Sequence, residues 1–260
     1  MGKTKAKVVD YTQNFWTGCQ PVSEGCLHCY ARAQMQKYER KFDQVLRTKT
    51  WNEPLRWQKK AVREGKVLKV STSSWSDFFH PDADEWRPEA WSIIKQTPNL
   101  LWQILTKRAQ SIEGRRPEDW GEGYPNVCLG VTVELKKYLW RMDTLRNIPS
   151  KARYVIAEPI LEDLMPDIEQ HIEGFDQLMV GGESGNGTTS GLWTSSGPGI
   201  FAICARPTTL RSISSSMPGD IRNSARRWTV SSTRNFPQPG IRISLLTCPL
   251  GRSVNFRCWI

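Results

Sequence analysis

Three cysteines stand within eleven residues near the start of the chain, in Gly18-Cys19-Gln20-Pro21-Val22-Ser23-Glu24-Gly25-Cys26-Leu27-His28-Cys29-Tyr30. Thiols this close, in a chain whose basic first residues run into Val8-Val9-Asp10-Tyr11 and not into an apolar signal core, are metal ligands before they are anything else. The spacing is C-x6-C-x2-C. Gly18, Pro21 and Gly25 shape a loop around one centre, and Cys29-Tyr30-Ala31-Arg32-Ala33 opens a helix.

The residue types leave several chemistries open. Structural zinc takes four closed ligands, so the three thiols would need His28, His80 or Cys128 as a fourth. An iron–sulfur cube also takes four, but a cube on three cysteines keeps one iron free for a substrate or cofactor, so the missing ligand itself favours a cluster. Unligated redox thiols are the third reading. A disulfide between Cys26 and Cys29 is disfavoured in a chain expected to be cytoplasmic.

The chain has 260 residues, enough for one large α/β domain, and no apolar run approaches membrane-spanning length. Its net charge of +10 is unevenly spread. Residues 1–186 carry 27 Lys and Arg against 25 Asp and Glu, whereas residues 187–260 carry nine Arg, one acid (Asp220), no Lys and no Glu. That distribution weakens a reading of the whole chain as a basic nucleic-acid binder. The last segment is rich in Ser, Arg, Pro and Thr, yet it also holds Trp193, Trp228, Trp259, Cys204, Cys248 and Cys258, which a disordered arm would mostly avoid. The expected division is therefore a folded unit over 1–187 and an irregular tail over 188–260, with out-of-frame translation favoured over a phosphate-binding Arg/Ser arm.

The elements that must position the cysteines follow a regular period. A first apolar run at 7–11 is followed by a helix-like stretch at 29–41 and a turn at 51–57 leading onto another helix to about 64; after Gly65, apolar runs at 67–70, 100–105, 127–133, 153–157 and 175–180 alternate with helix-like stretches at 86–96, 107–114, 134–146 and 161–173. Continuously apolar strands at this spacing predict parallel strands covered by helices: an α/β fold, a parallel barrel or most of one. Trp51 and Trp57 are expected to pack in the core. Five strands end in polar groups, at Ser71-Thr72-Ser73-Ser74-Trp75-Ser76-Asp77, Thr106-Lys107-Arg108, Glu134, Glu158-Pro159 and Gly181-Gly182-Glu183-Ser184-Gly185. Ligands of parallel sheets sit at those carboxyl ends, so the groups should converge beside the cysteine loop. Taken singly, Asp77 and Glu134 read as helix caps and His80 as a structural histidine, Lys107-Arg108 could grip a carboxylate or phosphate, and the glycine turn could cradle an anion.

These motifs, in this order, resemble an uncharacterised bacteriophage and bacterial family of three-cysteine, radical-SAM-like proteins of unknown function. The resemblance rests on Phe15-Trp16-Thr17-Gly18-Cys19 through Cys29-Tyr30-Ala31, Ser74-Trp75-Ser76-Asp77-Phe78-Phe79-His80, Gln103-Ile104-Leu105-Thr106-Lys107-Arg108, Leu129-Gly130-Val131-Thr132-Val133-Glu134, Glu158-Pro159-Ile160 and Val180-Gly181-Gly182-Glu183-Ser184-Gly185, and covers about residues 7–187. It implies a partial (βα) barrel in which Cys19, Cys26 and Cys29 hold a [4Fe–4S] cluster whose open iron binds S-adenosylmethionine. Ser74, Lys107, Glu158, Gly181, Gly182 and Glu183 would be the cofactor-binding residues, and a separate electron donor would be required. The x6 spacing departs from the x3 usual in the wider radical-SAM class. Family members continue past the glycine turn with an Ala-Arg-Pro-Leu stretch; Thr188-Thr189-Ser190-Gly191-Leu192-Trp193 can be encoded so that a one-base shift reads Arg-Pro-Leu-Asp-Tyr, which agrees with a frameshift near 187. Substrate and catalytic residues are not legible. The rival reading is a zinc-stabilised module that contacts DNA or RNA through aromatics and the Arg-rich tail, without catalysis.

Overall fold

The apolar runs pair side by side. The computed structural model describes residues 9–181. Along the chain run β1 (Tyr11–Gln13), β2 (Trp16–Thr17), α1 (Tyr30–Lys37), β3 (Leu46–Arg47), α2 (Glu53–Glu64), β4 (Leu68–Thr72), α3 (Arg87–Lys95), β5 (Leu100–Thr106), β6 (Val127–Thr132), α4 (Trp140–Arg146), β7 (Ala152–Ala157), α5 (Met165–His171) and β8 (Gln177–Val180). Six strands form one sheet in the order β1-β4-β5-β6-β7-β8, every neighbour parallel, while β2 and β3 make a short antiparallel pair. The order never reverses. An open doubly wound sheet turns back at a switch point, whereas a sheet that keeps adding strands in one direction is a segment of a barrel.

One face of the sheet carries the core. Val70, Leu100, Trp102, Ile104, Leu129, Val131, Val155, Ala157, Leu178 and Val180 join one apolar cluster with Trp57 and Ala61 of α2, Trp91 and Ile94 of α3, Met142 and Leu145 of α4, and Ile168 of α5. The opposite face holds Tyr154 and Met179 with Leu105, Cys128 and Ile156. The strands therefore alternate in burial, most clearly in β4 and β5, instead of being buried on both sides as their apolar runs suggest. A barrel segment explains this: helices cover only its outer face, so Lys69 and Ser71 can lie on the inner one.

Two predicted elements differ. The apolar run places the first strand at 7–11; among the described residues sheet contact begins at Asp10, whose N–H donates to Lys69 O and whose carboxylate accepts from Lys69 N–H, and pairing continues to Gln13. The helix expected over 107–114 is reduced to 3-10 turns at Ala109–Ser111 and Glu113–Arg115. Lys107 N–H donates to Asp77 and Arg108 N–H to Thr106 Oγ1, and Gly114 and Pro117 oppose a continuous helix further along.

An aromatic cluster locks the base of the cysteine loop. Phe15 stacks on Trp102 at 5.8 Å and meets Trp51 edge-on at 4.9 Å; Trp16 lies 5.3 Å from Phe78, which meets Trp91 at 4.8 Å. Trp16 Nε1 donates to Asp77 O, so the residues before Cys19 are tied to the segment after β4. Trp51 and Trp57 are buried, and Trp57 stacks on Tyr11 at 4.4 Å. Each such aromatic contributes about 1.5–3 kcal/mol by burial and about 0.5–1.5 kcal/mol more per well-placed pair. Replacing Phe15 by Ala is expected to lower unfolding free energy by about 3–5 kcal/mol in urea titrations, against less than about 0.5 kcal/mol for Val62→Ala on the exposed side of α2.

Candidate functional site

The cysteine loop is held from several sides by the carboxyl ends of the strands. Gly18 has φ of 98°, and a Cβ there would lie 2.1 Å from Gln44 O, so this position accepts glycine alone. Gly18 N–H donates to Trp75 O, Ser76 Oγ donates to Gly18 O at 2.5 Å, and Cys19 N–H donates to Phe42 O at 2.8 Å. Beyond Cys19, Arg108 Nη2 donates to Gln20 O at 3.0 Å. Ser23 Oγ donates to Glu134 Oε1 at 2.7 Å, and a Cβ at Gly25 would strike the Glu134 side chain at 2.6 Å. Glu24 is gripped by Lys137 and by Tyr138 Oη, hydrogen bonds that hold its carboxyl near a pKa of about 2.

Within this frame the three thiols are half-buried and unbridged. Cys19 and Cys29 pack against the same small cluster of Ala31, Met35 and Phe42, together with Trp75, and Cys26 Sγ is 3.6 Å from Ser23 Oγ. Burial pushes the Cys19 thiol up to about 12; negative charge on Asp77, Cys26 and Cys29 pushes the same way, and the Arg108 guanidinium opposes it. The sulfurs thus share one neighbourhood. Among the described residues no three His, Cys, Asp or Glu side chains close to metal-holding distances. Three soft thiols on one loop are the donor chemistry of an iron–sulfur cluster and of zinc alike.

Neither His80 nor Cys128 is on the cysteine loop. His80 is fully buried, and its Nδ1 accepts from Asp82 N–H, capping the turn at Pro81–Ala83. Cys128 faces the inner cluster near the amino end of β6, four residues or about 13 Å of strand before Thr132. His28 is on the loop and exposed.

The described strand-end residues contact their neighbours along the rim. Ser74 exchanges hydrogen bonds with the Asn14 side chain, and its carbonyl accepts from Tyr30 Oη at 2.7 Å, joining the ends of β1 and β4 to α1. Lys107 Nζ is 3.2 Å from Glu134 Oε1, so the basic residue grips the protein's own carboxylate. Glu158 packs against Gly181, where a Cβ would come within 2.9 Å of its carboxyl carbon; burial raises the Glu158 pKa and Lys107 draws it back. Gly182 and Glu183 lie outside the described residues. Asp77 and Glu134 are not helix caps. Asp77 accepts from Thr106 Oγ1, Lys107 N–H and Phe79 N–H; Glu134, completely buried, accepts from Arg141 Nη1 at 2.7 Å.

Arg141 and Asn14 carry no sequence signal of their own, because their partners are far away along the chain. Gly130 does carry one. Glycine inside a strand marks a close approach, and here the Tyr154 ring lies over it, 2.3 Å from where a Cβ would sit.

Comparison with known proteins gives a family and a set of solved structures. Residues 3–192 match the family described as "Protein of unknown function (DUF5131)". No curated protein matches. A spore photoproduct lyase double mutant with bound AdoMet and dinucleoside spore photoproduct is similar at 14% identity and a TM-score of 0.49, over 68% of this chain and 57% of that one. Spore photoproduct lyase complexed with dinucleoside spore photoproduct is similar at 13% identity with the same TM-score and coverage. The chain thus spans little more than half the length of these structures.

Removing the Glu134 carboxylate should strand Lys107 and Arg141: Glu134→Ala is expected to lose about 3–5 kcal/mol in urea unfolding, and Glu134→Gln less. In metal-free protein, alkylation of Cys19 by iodoacetamide, followed by peptide mass spectrometry, should be slow at pH 8 and keep rising above pH 10. A folded-state pKa of about 12 against the ordinary 9.0 keeps the thiol protonated through that window. A plateau near pH 9 would show that burial does not control this thiol.

Proposed function

The chain belongs to the DUF5131 family of proteins of unknown function, and we propose that it is a radical S-adenosylmethionine-type iron–sulfur enzyme. The observation that carries this reading is the placement of Cys19, Cys26 and Cys29 on one loop, tied to strand ends of a singly wound parallel sheet. Cys19, Cys26 and Cys29 would hold a [4Fe–4S] cluster with an open iron, which would supply reductive cleavage of S-adenosylmethionine into methionine and a hydrogen-abstracting 5′-deoxyadenosyl group, the electron coming from a separate donor.

The residues of this chain supply the setting. Cys19, Cys26 and Cys29 are the cluster ligands, and loading must release the proton that burial holds on Cys19. Ser74, Lys107, Glu158, Gly181, Gly182 and Glu183 are assigned to the cofactor. Lys107 offers a cation already oriented by Glu134, and Glu158, whose pKa is raised, can donate as a carboxylic acid or accept as a carboxylate. Gly181 leaves the room that Glu158 fills. The thiols require a reducing compartment, in keeping with a cytoplasmic, phage- or host-encoded protein served by a separate electron donor. No helix among the described residues is long and apolar enough to cross a membrane.

Anaerobic reconstitution of the full chain with iron and sulfide should give about four irons per chain and the broad visible absorption of a cluster. Cys19→Ala, Cys26→Ala or Cys29→Ala should each abolish uptake, and the reduced protein should convert S-adenosylmethionine to 5′-deoxyadenosine. Stoichiometric zinc with no iron uptake and no deoxyadenosine overturns the reading in favour of the zinc-stabilised binding module.

A further inference from the structure

Among the described residues Arg108 is a buried cation without an anion. The residue is 8% exposed, and its guanidinium donates to Gln20 O at 3.0 Å and reaches Cys19 Sγ at 4.0 Å. Its Nε has no hydrogen-bond partner. Among the described residues no carboxylate lies within ion-pair distance of it. Arg87, Arg115 and Arg141, by contrast, each pair with Asp84 or Glu134.

The groups around Arg108 offer no compensation. Asp77 spends its carboxylate on Thr106 Oγ1, Lys107 N–H and Phe79 N–H. His80 is buried, and burial together with the Arg108 charge lowers its pKa, so it stays neutral and contributes no counter-charge. An unpaired guanidinium in such surroundings is costly unless a negative charge arrives.

We infer that Arg108 is the counter-ion of the metal cluster: its guanidinium faces the Cys19 sulfur, stabilises the bound anion and raises its reduction potential. The inference rests on the function proposed above. A [4Fe–4S] core in its resting state with three thiolates carries one net negative charge, and two after taking an electron from an external donor. The reduced form therefore gains more from the cation. Arg108 is a positioning residue, since it acts on the cluster through the Cys19 sulfur and contacts no reacting atom.

The test uses the full chain, reconstituted anaerobically with iron and sulfide, with Arg108→Lys keeping the charge and Arg108→Gln and Arg108→Met removing it. Redox titration followed by electron paramagnetic resonance should give wild type and R108K closely similar potentials. In R108Q and R108M the one-electron reduction constant should fall about tenfold, a shift of about 59 mV to lower potential. Equal potentials in wild type and the neutral variants would overturn the inference while leaving the cluster in place. A wild-type chain that takes up no iron would overturn both it and the proposed function. As a second measurement, the urea midpoint of metal-free R108M should equal or exceed that of wild type, because an uncompensated buried charge has been removed. A large fall would make the tie to Gln20 O the role of Arg108, and would overturn the inference.

Discussion

A carboxylate removed from water costs several kcal/mol unless cations and donors surround it, and Glu134 meets that condition only in the folded arrangement. It stands just past the end of β6, completely buried, between Arg141, Lys107 and Ser23. Those residues come from α4, from the end of β5 and from the cysteine loop. The bond to Ser23 and the contact at Gly25 fix the middle of the loop, while Gly18 and Cys19 fix its start against Trp75, Ser76 and Phe42. A loop of this length would otherwise sample many shapes, and three thiols would rarely face the same volume. The carboxylate thus converts a sequence motif into a site.

The sheet explains why a carboxylate at that place can do so. Parallel strands added in one direction bring all their carboxyl ends to one rim, and each end departs into a connection that is free to carry polar groups. Asn14, Ser74, Lys107, Glu134, Glu158 and Gly181 come from six successive strand ends in spatial order. Neighbouring members interact: Asn14 with Ser74, Lys107 with Glu134, and Glu158 with the charge of Lys107 and the backbone of Gly181. Rigidity comes from the outer face, where Phe15, Trp16, Phe78 and Trp102 pack beneath the loop.

Local signals carried most of the architecture. The three cysteines are visible because their type and spacing are chemical, and the strands because apolar runs recur at the period of a βα unit. Long-range pairing was not visible. Asp77 and Glu134 look like helix caps when only their neighbours in sequence are considered; their actual partners, Thr106 for one and Ser23 and Arg141 for the other, are fixed by the topology. The segment after Lys107 has helical composition, yet Gly114 and Pro117 interrupt it and only 3-10 turns form. The strands looked doubly covered because their apolar runs are nearly continuous, and the inner face holds enough apolar groups, Leu105, Ile156 and Met179, to hide the alternation.

The charges at the rim divide into two kinds. Lys107 and Arg141 are neutralised by Glu134 and serve the fold whether or not anything is bound. Asp77 is satisfied by neutral donors, and Glu158 is shifted toward its uncharged form, so neither offsets the cation beside Cys19. Burial, the strongest influence on the Cys19 thiol, holds it neutral against the pull of Arg108. The metal-free site is consequently electropositive at the first cysteine although the loop carries Glu24 and the rim carries three acids. Such an imbalance costs stability in a closed structure, and a fold retains it most readily where an anionic group completes the site. The same residues that make the loop rigid therefore leave the Arg108 cation beside Cys19 without a carboxylate partner among the described residues.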